Sequence, residues 1–338
     1  MKHVPLIVLL AVLTAAWGPR GHQSANRAAV KSLPADGPVF LSEFEDWIAK
    51  TGPVPDSWRG VSEPYSKIFE DPNHGWFKEQ FAFLDTIPRS RYEFVERLYD
   101  EYLRIKDKDP ARAALTNVRW TGTLPYAAVE NYDRMKSAMR AYRALAKDGS
   151  EASKKDARYL AMDIAFYMGW LGHYTADGAQ PLHDTIHHDG WQGDNPKGYT
   201  TDPRVHGRLE TAFVDLIQLS DADLLPLLPK AQVVDDPFAA IIRHLDDAST
   251  HVVEVYEMDK RGAFSHADDA EAGRLVRQQL AKAAALLRDL TYTAWIQSGS
   301  AVSRPDATAN PISQSNPKYN PGTGTAPPDG PALSNRSK

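Results

Sequence analysis

The segment Gly172-His173-Tyr174-Thr175-Ala176-Asp177-Gly178-Ala179-Gln180-Pro181-Leu182-His183 decides how this chain is read. It closes a stretch in which Ala157, Leu160, Ile164, Tyr167, Leu171 and Tyr174 recur at steps of three and four, the period of a helix with one apolar face. His173 and Asp177, four apart at the end of that helix, project from the same face. Gly178 and Pro181 stop the helix, and a chain reversal there can bring His183 back towards the carboxylate. Taken alone, the pair also reads as a satisfied core histidine and a surface charge at a helix end.

Outward from this segment the helical period persists. Phe238, Ile241, Leu245, Ala248, Val252 and Val255 follow the start signal Asp235-Asp236-Pro237 and predict one helix. Val276, Leu280, Ala283, Leu287, Leu290 and Ala294 predict another, and further helices are expected near 21–33, 89–106, 125–147 and 204–219. Residues 50–72 and 178–203 read as non-helical insertions. Period-two alternation is scarce and no fixed repeat is evident, so the fold class is all-α. One large multi-helix domain is expected over 17–296.

The two ends read differently. Lys2, an apolar run and the small residues Thr14, Ala15 and Ala16 make 1–16 a secretory signal too short to span a membrane. The mature chain would begin at Trp17, without a transmembrane segment, in a secreted or periplasmic protein. Residues 297–338 carry seven prolines and seven serines and read as a disordered tail.

The 39 Lys+Arg against 44 Asp+Glu leave a formal charge of −5, which argues against a basic, phosphate-tracking surface unless bound cations reverse the sign locally. With no cysteine, thiolate metal sites and a thiol nucleophile are excluded, leaving 11 histidines as the nitrogen ligands. A second i,i+4 pair, His206 and Glu210, joins the first, although such a pair is often a solvated ion pair. Asp56 and His74 lie in aromatic-flanked loops, where they also suit turn or cap roles. His22 follows Trp17 at the start of the first helix. If cleavage leaves Trp17 first, its amine and carbonyl add two further donors. These nitrogen and oxygen donors suit zinc, with manganese or iron open on donor type alone, and outnumber the needs of one ion.

Trp17-Gly18-x-x-Gly21-His22, then His173-x3-Asp177-x5-His183, then His206-x3-Glu210 together resemble the secreted trinuclear-zinc phosphodiesterases. That superfamily comprises the zinc-dependent phospholipases C and the single-strand-specific nucleases, and the resemblance runs from Trp17 to about Trp295. It implies a helical domain of that type with three Zn2+ in a cleft between helices. Asp56, His74, His173 and a bridging Asp177 would hold the first ion, with Asp46 a conceivable substitute for Asp56. His183, His206 and Glu210 would hold the second. Trp17, His22 and Asp177 would hold the third. Within the superfamily the step from Trp17 to His22 and Gln180-Pro181-Leu182-His183-Asp184 look like the nucleases, whereas Glu210 and Pro196-Lys197-Gly198-Tyr199 look like the phospholipases.

The implied chemistry is metal-assisted phosphodiester hydrolysis, in which coordination lowers the pKa of water from 15.7 to about 7 and Asp56 accepts a proton. The lean is to a nuclease acting on single-stranded DNA or RNA, for which Trp76, Phe77, Trp191 and Tyr199 are candidate base-stacking residues, each also suited to core or rim packing. The alternatives are a phospholipase C and a non-catalytic metal-binding helical protein. No stable protein partner is implied.

Overall fold

The computed structural model describes residues 17–300 and 306–335. The signal-peptide reading of 1–16 lies outside the described residues. The helices are α1 (Gly18–Lys31), α2 (Glu45–Thr51), α3 (Val54–Ser57), α4 (Pro64–Glu70), α5 (Arg91–Ile105), α6 (Pro110–Leu115), α7 (Val118–Thr121), α8 (Leu124–Asp148), α9 (Glu151–Asp177), α10 (Arg204–Gly207), α11 (Val214–Leu216), α12 (Asp221–Leu224), α13 (Pro237–Ser249), α14 (Val252–Lys260) and α15 (Ala270–Ser298). The all-α expectation holds among the described residues, where the one ladder pairs the two-residue strands β1 (Thr86–Ile87) and β2 (Leu333–Ser334) antiparallel.

Sequence signals account for the long elements. Ser150 accepts from the Ser153 amide to start α9, Asp236 from Ala239 to start α13, and Asp269 from Ala272 to start α15. Val276, Leu280, Ala283, Leu287, Leu290 and Ala294 are all buried along α15. The centre of the molecule packs α9 against α8, α15, α1 and α2 around one continuous apolar core. Asn26 of α1 joins three of these helices, donating to Ile48 O at 3.0 Å and Gly169 O at 3.1 Å. A Cβ at Gly172 would lie 1.9 Å from Asn26 Oδ1, so this crossing of α1 and α9 requires glycine.

Four sequence expectations need correction. The helix expected across 238–255 breaks between α13 and α14, where the Ser249 and Thr250 hydroxyls donate to Asp246 O and Asp247 O and compete with helix continuation. The helix near 204–219 is interrupted by a π-helical turn, Arg208–Phe213, against whose Thr211 the backbone at Gly18 packs. The insertion 50–72 is not free of helix: it carries α3 and α4. Residues 306–335 of the expected disordered tail have a defined place, because β2 pairs with β1 and the buried Asn335 side chain donates to Phe81 O and Leu84 O. Those backbone bonds supply what the apolar-poor segment lacks in buried surface.

Candidate metal centre

α9 ends in the middle of the molecule and carries His173 and Asp177 there, both fully buried. The His173 Nδ1–H donates to Gly52 O at 2.8 Å, which aims Nε2 inward, 3.1 Å from Asp177 Oδ2 and 2.9 Å from His74 Nδ1. His74 Nδ1 in turn lies 3.0 Å from Asp177 Oδ2. Asp56, largely buried, places Oδ1 3.7 Å from His74 Nδ1. Past the Gly178 stop, Gln180 caps the turn Pro181–Asp184 and returns His183, whose Nδ1 bonds to His74 O. The reversal expected at Gly178 and Pro181 is therefore real.

The second pair meets the first at His183. His206 Nδ1–H donates to His188 O at 3.0 Å, leaving Nε2 at 2.9 Å from Glu210 Oε2 and 3.1 Å from His183 Nε2. His22 stacks on His173 with ring centres 4.3 Å apart and turns Nε2 to within 3.5 Å of Asp177 Oδ1. Trp17, at the head of α1, donates its main-chain nitrogen to Glu210 Oε2 at 3.2 Å, while its indole donates to Ala176 O at 2.7 Å. The nine residues singled out from the sequence thus converge from four parts of the chain. Asp46 does not join them; it is exposed and paired with Arg27 and Lys50.

Ligand atoms come within 4.8 Å of one another in three groups: His22, His173 and Asp177; Asp56, His74 and His173; and His183, His206 and Glu210. Each group could hold a metal ion. The donor set fits a cation on two observations. Both ring nitrogens of buried His22, Asp177 Oδ1 and Glu210 Oε1 have no hydrogen-bond partner, a state that costs free energy unless something else compensates. His173 and His206 are also oriented through backbone carbonyls, as metal-ligating imidazoles usually are.

Without a metal, burial and the neighbouring carboxylates pull the histidines of the site apart. Burial lowers the His22 pKa to about 3. Burial also opposes charge on His173 and His206, but Asp177 and Asp56 raise the first to about 9, and Glu210 and Asp189 raise the second to about 10. Glu210, despite burial, is held at about 2 by His206 and His183. Asp56 is raised by burial. Cation binding by His173 and His206 would therefore have to displace protons that their carboxylate neighbours favour.

Three residues outside the ligand set expected from sequence complete the surroundings. Buried Glu70 accepts from the Tyr174 hydroxyl at 2.7 Å and lies 3.3 Å from His74 Nε2; its helical i,i+4 spacing to His74 was the available signal. Gln180 donates to Glu210 Oε2 at 3.2 Å. Asp189 sits 3.5 Å from His206 Nδ1, with no sequence pattern to mark it.

The aromatic expectations fare unevenly. Trp76 is wholly buried among Phe81, Phe94 and Tyr126 and is a core residue. Trp191 and Tyr199 pack on Tyr256, and Trp191 stacks on His187, in a separate cluster. Neither lines the cleft of about 80 Å³ that does contain Phe77, along with His74, His183 and His206. Phe77 stacks on His188 at 4.6 Å. The chain matches no family model, no curated protein and no solved structure.

Proposed function

We propose that this chain is a zinc-dependent phosphodiester hydrolase, exported and processed so that Trp17 is its first residue. One observation carries the reading: three imidazole–carboxylate groups adjoin one another around Asp177 and Glu210, with a main-chain nitrogen of Trp17 beside the second carboxylate. Asp56, His74, His173 and Asp177 would hold one ion, His183, His206 and Glu210 a second, and Trp17, His22 and Asp177 a third. Bound there, such ions polarise phosphoryl oxygens and lower the pKa of water.

The chain's own residues supply the rest. Asp56 has a buried, unpartnered Oδ2 and a pKa raised by burial, which suits it to accept a proton. Arg59, 3.3 Å from Asp56 Oδ1 and 3.0 Å from Asp71, fixes that carboxylate. Phe77 and His188 form the stacked pair against which a base could lie.

Single-stranded nucleic acid is the first substrate class to test, following the sequence lean. Phospholipid is the second, favoured by the exposed apolar side of α4 next to the cleft and by the loss of Trp76, Trp191 and Tyr199 as stacking platforms. Incubating the purified mature protein with single-stranded DNA, RNA and phosphatidylcholine vesicles, with and without chelator, tests the proposal. Chelator-sensitive release of product from one of them is expected. No cleavage of any of them by the metal-loaded protein would leave a non-catalytic metal-binding protein.

A further inference from the structure

Val61 is 86% exposed, Tyr65 90%, Ile68 75% and Phe69 58%. These four large apolar side chains fall within nine residues, on α4 and the turn before it. A single exposed side chain of this kind is ordinary; three on one short helix with a fourth on the turn before it mark an interaction surface. The helix is firmly seated. Glu70 at its end is buried against Tyr174 and His74, and Lys67 donates to Asp71 Oδ2 at 2.7 Å. Its outward apolar side is thus held at the start of the turn that delivers His74.

Charge around α4 selects the partner. Asp71 is engaged by Lys67 and Arg59 and Glu70 is buried, so little negative charge faces outward from the C-terminal end of the helix, while at its N-terminal end Glu63 is exposed and accepts from the Ser62 hydroxyl. Asp71 also lies 4.0 Å from Arg119, which sets that guanidinium beside α4. Arg119 is half exposed, has no closer carboxylate among the described residues, and stands 4.7 Å from the Trp120 ring centre. It lines the same cleft as His74, His183 and His206. Aliphatic and tyrosine side chains flanked by a weakly paired guanidinium and an indole complement a phospholipid interface, with the apolar groups entering the acyl boundary and the guanidinium meeting a phosphate. A nucleic-acid strand would leave Val61 and Ile68 in water. The chain's net charge of −5 disfavours a strongly anionic membrane.

We infer that α4 docks this protein on a zwitterionic phospholipid surface, so that the cleft beside Arg119 opens onto lipid headgroups. The inference rests on the hydrolase reading for what docking achieves, but binding itself needs neither metal nor turnover. The test is co-sedimentation of the full chain with phosphatidylcholine vesicles, in chelator and in zinc. Wild type should bind in both. Tyr65→Ser/Ile68→Ser should lower the vesicle-bound fraction at least tenfold, while thermal melting and hydrolysis of the soluble diester bis(p-nitrophenyl) phosphate stay unchanged. Equal vesicle binding by wild type and variant would overturn the inference, as would no binding by wild type. So would a wild-type dimer that the variant dissociates, since the occupant would then be a second copy. Vesicle binding that depends on Tyr65 and Ile68 in a protein that cleaves no diester would support docking and defeat only the hydrolase reading.

Discussion

Replacing Asp177 with Asn removes the one carboxylate that touches His22, His74 and His173 while keeping its shape. In the metal-free chain the consequence follows from His173, which is fully buried and raised from 6.5 to about 9, burial opposing the shift and Asp177 leading the groups that produce it. A group whose folded pKa is raised contributes stability that is complete below the unfolded pKa and lost as pH rises through the folded one. Here that window runs from about 6.5 to about 9. At 1.36 kcal/mol per unit the full contribution is on the order of 3 kcal/mol, most of which remains at pH 7. Asp56 and Glu70 also raise His173, so Asp177→Asn should cost about 2 kcal/mol at pH 7. Asp177 itself is held well below the carboxylate range and does not titrate in this window. Urea denaturation in chelator at pH 7 and pH 10 measures the difference, which should shrink below about 1 kcal/mol at the higher pH. With metal present the variant should also lose metal content and activity together. An equal stability gap at both pH values would refute the electrostatic account, and full metal occupancy with unchanged turnover would refute the bridging role.

Metal binding at pH 7 should displace the protons on His173 and His206, whose pKa values stand at about 9 and about 10. Calorimetric binding enthalpy should then vary with the buffer's ionisation enthalpy, and affinity should rise with pH through that range; an enthalpy independent of buffer would contradict it. Glu210→Gln should remove or loosen the ion shared with His183 and His206 while sparing the others, and in a nuclease-like enzyme Glu210→Asp should keep much of the activity; elemental analysis finding three ions in Glu210→Gln counts against the assignment. A protein beginning at Trp17 should hold one ion more than one carrying a methionine before it, because an amide nitrogen is a poor ligand, and equal metal content and rate in the two would reduce Trp17 to a buried aromatic. Gly172→Ala should destabilise the fold by about 3 kcal/mol through its clash with Asn26 Oδ1, seen as a lower melting temperature; an unchanged melting temperature would show that α1 and α9 can separate without cost.

The long helices and the main metal-site candidates were legible in sequence because both depend on local spacing. The period of three and four along α9 and α15 puts apolar residues on one face, and the i,i+4 steps of His173–Asp177 and His206–Glu210 put candidate ligands on one face, with no knowledge of the rest. Caps such as Asp236 and stops such as Gly178 act within a few residues and are equally visible. Local spacing fails where distant backbone competes. The π-helical turn at Glu210 and the seat of residues 306–335 on β1 depend on packing or bonds to groups whose position sequence spacing does not give, whereas the α13–α14 break is local, made where the Ser249 and Thr250 hydroxyls bond carbonyls three residues back. Trp76 and Phe77, adjacent in the chain, show the same limit: one fills the core and the other lines the cleft, because burial is settled by what packs opposite. Sequence spacing alone therefore established an all-α chain with imidazoles and carboxylates in ligand-like pairs. Only the tertiary structure could bring those pairs together around Asp177, place Asp56 rather than Asp46 beside them and leave the apolar side of α4 exposed among the described residues, since each depends on through-space distances between segments far apart along the chain.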